Sequence, residues 1–274
     1  MTETRQKQLD AINRLLDVLD RLRVECPWDK KQTYQSLRPN TIEETFELCD
    51  ALMKEDKKNI CKELGDVLMH VMFYAKIGSE TNDFDIADVA NQQADKLIFR
   101  HPHIYGEVKA ETAEEVLQTW EKIKLKEKDG NKTVLAGVPA SLPSLVKAYR
   151  IQDKTRNVGF DWENRKDVWK KVHEEIDELQ AELERIDEAA ANGDEQQKMQ
   201  AKADAEKEFG DVLFSMINAA RLYKLNPDNA LEHTNQKFIR RFNYIEKKAN
   251  EQGRAISDLT LAEMDELWEE AKRQ

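Results

Sequence analysis

Glycine and proline are scarce in this chain, nine and six in 274 residues. Little therefore interrupts helix over long stretches. Cysteine is scarcer still. Cys26, Cys49 and Cys61 are odd in number and lack Cys-x-x-Cys spacing. That argues against a disulfide framework or a cysteine-rich zinc site, and suggests reduced thiols in a cytoplasmic protein. No segment approaches the roughly 18 uninterrupted apolar residues of a membrane span. Met1-Thr2-Glu3-Thr4-Arg5 leads into a charged amphipathic helix rather than a secretory signal. A membrane partner is not expected. Positive charge is also in deficit: 43 Lys and Arg against 54 Asp and Glu give a net charge of −11. The chain lacks the bulk attraction of a general nucleic-acid binder, so no nucleic-acid partner is expected. An anionic ligand can still bind where metal ions and a few basic groups gather locally.

What is abundant favours helix. Ala, Leu, Glu, Lys and Gln dominate long stretches, and the chain is 40% hydrophobic and 35% charged. This composition predicts a globular all-α protein with a heavily charged surface. Leu9, Ile12, Leu15, Leu16, Leu19 and Leu22 recur at helical spacing, and Cys26-Pro27-Trp28-Asp29 ends that helix. Arg38-Pro39-Asn40 reads as a second break, with Thr41 as N-cap and Glu44 completing a capping box. Further helices are expected from Ile60 to Ala75, Phe84 to Lys96, Glu114 to Lys126 and Leu145 to Thr155, with a turn over Asn157–Asp161. Residues 127–144, with Asp129-Gly130-Asn131, Gly137, Pro139 and Pro143, change character and suggest a linker.

Past that linker the pattern repeats. Glu174, Glu175 and Glu178 match Glu43, Glu44 and Glu47, while Gly210-Asp211-Val212-Leu213 matches Gly65-Asp66-Val67-Leu68. Lys237-Phe238-Ile239-Arg240-Arg241 is similar to Lys96-Leu97-Ile98-Phe99-Arg100. The offset is 131 at the first acidic segment (174 against 43) and 145 at the second (208 against 63), so the second copy holds 14 more residues between them. They surround Ala189–Asp194, as longer helices around a loop or as a mobile insertion.

Residues three or four apart share a helix face. Glu175 with Glu178, and Glu208 with Asp211, therefore form two acidic pairs. Two antiparallel helices bearing them would converge four or five carboxylates on one cavity. Oxygen ligands without Cys or His suit a hard cation, Mg²⁺ or Mn²⁺. Asp211 lies in an apolar run (Phe209, Val212, Leu213), where an idle charge is costly. Lys237 and Arg241, four apart, suit a polyphosphate. Trp268 either stacks on a base or plugs the core, and Trp28 and Trp162 suit packing anchors. His70 suits a structural role better than a ligand's, and Asn218 shares the face of Asp211.

Taken together, Cys26-Pro27-Trp28-Asp29, Glu43-Glu44-x-x-Glu47, the Gly-Asp-Val-Leu repeats and Leu135-Ala136-Gly137-Val138-Pro139 resemble the MazG nucleoside triphosphate pyrophosphohydrolases. The likeness spans nearly the whole chain, tandem arrangement included. It implies an all-α fold of two tandem helical domains with bundle-type metal sites, assembled as a homodimer. The domains would be 1–130, mainly structural, and 145–274, catalytic, joined by a linker at 131–144. The implied activity is Mg²⁺-dependent hydrolysis of nucleoside triphosphates, ATP among them, to monophosphate and pyrophosphate. Mn²⁺ would be a substitute metal, base specificity broad and the role nucleotide-pool housekeeping.

By position, the resemblance makes Glu175, Glu178, Glu208 and Asp211 metal ligands. Lys171, Glu174, Lys237, Arg241 and Trp268 would hold or position the nucleotide. Glu174 or Glu175 would take a proton from the attacking water, and Lys237 and Arg241 would offset phosphate charge. Glu44, Glu47, Glu63 and Asp66 form a second-rank site. The first half departs from the pattern with Asn40 where the second has Lys171, and it has no tryptophan segment of its own. Two rival readings stay open: a pyrophosphohydrolase narrowed to one nucleotide such as dUTP, and a non-catalytic regulatory protein that binds nucleotide and metal. A di-iron bundle wants Glu-x-x-His pairs, which the repeated sites lack.

Overall fold

The computed structural model describes residues 2–108 and 133–273, together with Thr112, Glu115, Val116 and Ile123 between them. Every regular element among these residues is a helix, and none is long and apolar enough to cross a membrane. The chain divides into two compact units, Met1–Trp120 and Glu121–Gln274. The helix expected over Glu114–Lys126 lies largely outside the described residues.

The first unit begins with α1 (Glu3–Glu25), capped by Thr2, whose hydroxyl accepts from the Arg5 N–H. A single 3₁₀ turn (Asp29–Lys31) leads to α2 (Tyr34–Met53), α3 (Lys57–Glu80), α4 (Ile86–Arg100) and the short α5 (Pro102–Tyr105). Leu19, Leu37, Met72 and Phe73 form its core, with Leu15, Leu16, Met69 and Ile77 packed on them. Arg23 ties the ends of α1 and α3 together. It donates to both Glu80 oxygens at 2.7 and 2.9 Å, holds the Gln32 carbonyl at 3.0 Å, and lies 5.6 Å over the Phe73 ring. Gly78 makes room for Phe84, because a Cβ there would meet that ring at 2.8 Å.

Two expectations about this unit need correction. Arg38-Pro39-Asn40 does not break the chain, and Thr41 is not an N-cap. Helix α2 starts eight residues earlier, at a capping box between Thr33 and Ser36, and runs through Pro39. Proline costs the helix one hydrogen bond. The cap and the burial of Leu37 in the turn before it outweigh that loss. Thr41 instead crosses to α3, with its hydroxyl 3.1 Å from His70 Nδ1 and 2.5 Å from the Tyr74 hydroxyl. Nor is Trp28 a packing anchor, since it is 57% exposed.

The second unit contains α6 (Ser144–Arg156), α7 (Val168–Ala191), α8 (Glu195–Leu222), α9 (Pro227–Glu251), a 3₁₀ turn (Ile256–Asp258) and α10 (Leu261–Ala271). The 14 additional residues prolong a helical hairpin. α7 and α8 continue past the acidic segments and meet at Asn192-Gly193-Asp194. Gly193 takes a φ of +70°, and Asp194 caps α8 through the Gln197 N–H. Buried Ala189, Ala201 and Ala205 let the two helices pack closely. Val168, Val172 and Ala219 form the core at the other end of the hairpin. Ile245, Ala249 and Leu259 form a separate core beneath α10.

A buried ion pair pins the loop before α7 to α8. Arg221, whose side chain is only 3% exposed, donates to both Asp161 oxygens at 2.5 and 3.0 Å. Burial alone would raise the Asp161 pKa, but the Arg221 hydrogen bond, the Trp162 N–H and the charges of Arg221 and Arg156 bring it below its ordinary 3.8. Arg221→Met should therefore cost roughly 3 kcal/mol near neutral pH, because it strands a buried carboxylate. A depressed folded pKa gives stability that is present above 3.8 and lost as pH falls through the lowered value. Urea titrations across that window should show the variant's deficit closing on acidification, and a deficit independent of pH would refute the assignment.

Candidate metal centres and substrate cavity

The repeated carboxylates line the facing sides of two helical hairpins, with one Glu of each set, Glu63 and Glu175, buried. On α7, Val168, Val172 and Glu175 follow one another at helical spacing, so the face that buries the valines also buries Glu175, which is 7% exposed. On α8, Ala201, Ala205, Glu208, Ser215 and Ala219 lie along the corresponding face. Each Glu is thereby aimed at the facing helix. Glu175, Glu178 and Glu208 offer oxygens that all lie within 4.8 Å of one another. Glu44 and Glu47 from α2 and Glu63 from α3 meet the same condition in the first unit. Asp66 and Asp211 stand one turn beyond Glu63 and Glu208, beside these sets rather than within them.

Such proximity is electrostatically unfavourable without a cation. The Glu178 carboxyl titrates above its ordinary value through burial, a hydrogen bond shared with Glu175, and the charges of Glu175 and Glu208, with Lys171 opposing. Glu44 is likewise raised by burial and by Asp66, Glu47 and Glu63. In the first set Glu63 Oε2 is buried without a hydrogen-bond partner. All-oxygen donors, mutual repulsion and an unsatisfied buried oxygen suit a hard divalent cation.

Lys171 is the resident cation of the second set, 2.7 Å from Glu175 Oε1 and 2.9 Å from Glu174 Oε1. Hydrogen bonds to both carboxylates raise its pKa. Beside it opens a cavity of about 720 Å³, within the range of small-ligand sites. Lys171, Glu175, Asp211, Phe160, Trp162 and Asn218 are among the residues that line it. Trp162 is therefore a cavity wall, 39% exposed, rather than an anchor. Asn218 does share a side with Asp211, and its carbonyl accepts from Arg221 at 2.7 Å.

Lys237, Arg241 and Trp268 gather elsewhere in the unit. The Arg241 guanidinium lies 5.4 Å from the centre of the Trp268 ring, and the Phe238 ring centre lies 5.0 Å from it, the two rings tilted by 58°. Trp268 also packs on the Ile245, Ala249 and Leu259 core, so its packing role is real. Arg241 Nε is buried with no partner. None of these three side chains lines the 720 Å³ cavity. His70 is buried, hydrogen-bonds Thr41, and has its pKa lowered by that burial. That is a structural role.

Two features escaped the sequence. Arg221 with Asp161 shapes the cavity from positions 60 residues apart, and no periodicity links them. Lys62 lies against the first set, 2.8 Å from Glu63 Oε1 and 3.9 Å from both Glu47 and Asp66. Its neighbour Glu63 was conspicuous, but a surface lysine beside an acid is too common to single out.

Comparison with known proteins identifies the family. A family model described as the MazG nucleotide pyrophosphohydrolase domain matches residues 32–105 and 164–245, spanning both carboxylate sets. A nucleoside triphosphate pyrophosphohydrolase of Escherichia coli is 39% identical over 271 residues, covering 97% of this chain and 98% of that protein. A Thermotoga maritima protein named nucleoside triphosphate pyrophosphohydrolase/pyrophosphatase MazG is 35% identical over 94% of each chain. The uncharacterized Bacillus subtilis protein YabN is 44% identical over 90% of this chain and 48% of its own length.

Repulsion within the second set gives a stability test. Glu178→Gln should raise the melting temperature of metal-free protein near neutral pH. A raised folded pKa means that the wild type regains stability as pH falls through it, so the gain should vanish below 4.5. Melts in EDTA check this. No gain at neutral pH, or an equal gain in acid, would contradict it.

Proposed function

The chain belongs to the MazG nucleotide pyrophosphohydrolase family, and on that footing we propose that its second half carries the chemistry. It is an enzyme of the nucleoside triphosphate pyrophosphohydrolase class. The observation behind the assignment to the second half is the set Glu175, Glu178 and Glu208 at a cavity that also offers Lys171 and Asp211. Glu175, Glu178, Glu208 and Asp211 would hold Mg²⁺, or Mn²⁺ as a substitute. A divalent ion there supplies charge neutralisation for the triphosphate and lowers the pKa of bound water.

The protein groups divide the remaining work. Glu174 or Glu175 accepts the proton of the attacking water. Attack falls in line at the α-phosphorus, with pyrophosphate leaving. Lys171, which pairs with Glu174 and Glu175, is placed to meet substrate phosphate. Lys237 and Arg241 offset charge on the phosphates, the guanidinium through paired hydrogen bonds. Trp268 stacks on the base. Stacking accepts any base, which supports broad specificity and a role in nucleotide-pool housekeeping in the cytoplasm.

Domains of 1–130 and 145–274, with a linker between, fit the repeat, and the first is mainly structural. A homodimer is the working form. Phe46, Leu64 and Leu68 in one unit, and Phe209, Leu213 and Phe238 in the other, leave large apolar groups uncovered. Gly65 and Gly210 sit on those helices with open space where a Cβ would go, room for another backbone to approach.

Product analysis tests the reading. ATP with Mg²⁺ should give AMP and pyrophosphate, and EDTA should stop it. ADP with orthophosphate would refute it. Arg241→Ala should lower kcat/KM by about 100-fold, and Arg241→Lys should restore only part. Full restoration by lysine would refute paired hydrogen bonding.

A further inference from the structure

The two carboxylate sets differ in what their neighbouring lysine does. Lys207 and Lys62 are counterparts, each immediately before the Glu of the second acidic segment, at the offset of 145 (207 against 62). On α8, Lys207 is drawn away from the carboxylates. Its ammonium lies 2.8 Å from Asp204 Oδ1, and Gln200 holds the other Asp204 oxygen at 2.9 Å. The counterpart of Asp204 at the same offset is Asn59 (204 against 59). Asn59 carries no charge, and its amide is turned back to the helix cap, donating to Asp56 at 2.8 Å. Among the described residues no other carboxylate pairs with Lys62, which points into the first set and pairs with Glu63, Glu47 and Asp66.

We propose that the first carboxylate set is a divalent-cation site whose affinity is set by Lys62, an internal competitor that asparagine at position 59 fails to hold away. This rests on the carboxylate-cage reading above and adds a reason for the inequality of the two halves. Two observations support a site rather than an acidic patch. Glu63 is 5% exposed, and its Oε2 is buried without a partner even with Lys62 on Oε1. Lysine therefore satisfies only one face of the cluster, and the other wants a cation between the helices. Asn59, Glu47 and Glu63 also line one cavity of about 470 Å³. The lysine's hold is loose, since its side chain is 62% exposed. Exposed pairs are weak, so the competition weakens metal binding without abolishing it.

Mn²⁺ binding, followed by the electron paramagnetic resonance signal of the free ion, tests this in the full chain. Glu178→Gln with Glu208→Gln silences the second set. The remaining site should bind Mn²⁺ about twofold to fivefold more tightly after Lys62→Met, and lose it after Glu63→Gln. Asn59→Asp should tighten binding while Lys62 is present and add nothing once Lys62→Met is in place, because it acts through the lysine. Unchanged or weaker binding after Lys62→Met would overturn the proposal. So would absence of Mn²⁺ from the site, or an equal effect of Asn59→Asp in both backgrounds. If the silenced chain melts abnormally, the otherwise wild-type chain serves, with Lys62→Met expected to tighten only the weaker of two Mn²⁺ classes. A uniform shift or no shift would count against it. Metal binding is read without turnover, so failure of the pyrophosphohydrolase reading leaves this result interpretable, and the reverse also holds.

Discussion

Carboxylates facing one another across an antiparallel helix pair repel, and the architecture of both halves accommodates that repulsion. The helices cannot separate, because the same faces that carry Glu175 and Glu208 also bury Val168, Val172 and Ala219 at one end and Ala189, Ala201 and Ala205 at the other. Packing holds the acids within 4.8 Å, and their charge must be met by protons, lysines or metal. The raised Glu178 and Glu44 carboxyls are the proton response. Lys171 and Lys62 are the lysine response. The proposed metal would be the third, and the one that gives the arrangement chemical use.

The three responses differ between the halves because the surrounding residues differ. In the second, Lys171 lines the 720 Å³ cavity, where it is proposed to meet substrate phosphate, and Asp204 keeps Lys207 occupied. In the first, Asn40 replaces the lysine, Asn59 replaces the aspartate, and Lys62 takes up the cage. The two copies thus share the carboxylates and differ in the residues that manage their charge. A change of one charge beside such a cluster alters metal affinity as surely as a change of ligand does, although it leaves no mark on the repeat itself.

Much of this was legible in the sequence. Helical spacing placed most helices within a few residues, and i, i+3 acidic pairs recurring beside Gly-Asp pointed to both carboxylate sets. The 14 additional residues could be counted, but only the positive φ at Gly193 and the cap at Asp194 show that they lengthen a hairpin. Local rules failed at Pro39, where a cap six residues upstream and a buried leucine outweighed the proline. They were also silent on long-range contacts. Nothing in the spacing says that Arg221 would find Asp161, or that Lys62 and Lys207 would turn in opposite directions. Trp28 was misplaced because an exposed tryptophan and a buried one look alike in sequence.

Turnover is proposed to reside in the second carboxylate set and not in the first. Steady-state hydrolysis of ATP by full chains bearing Glu178→Ala or Glu47→Ala separates the two, with circular dichroism confirming that both fold. Glu178→Ala should abolish hydrolysis while Glu47→Ala retains most of it. Equal loss from both substitutions, or greater loss from Glu47→Ala, would contradict it.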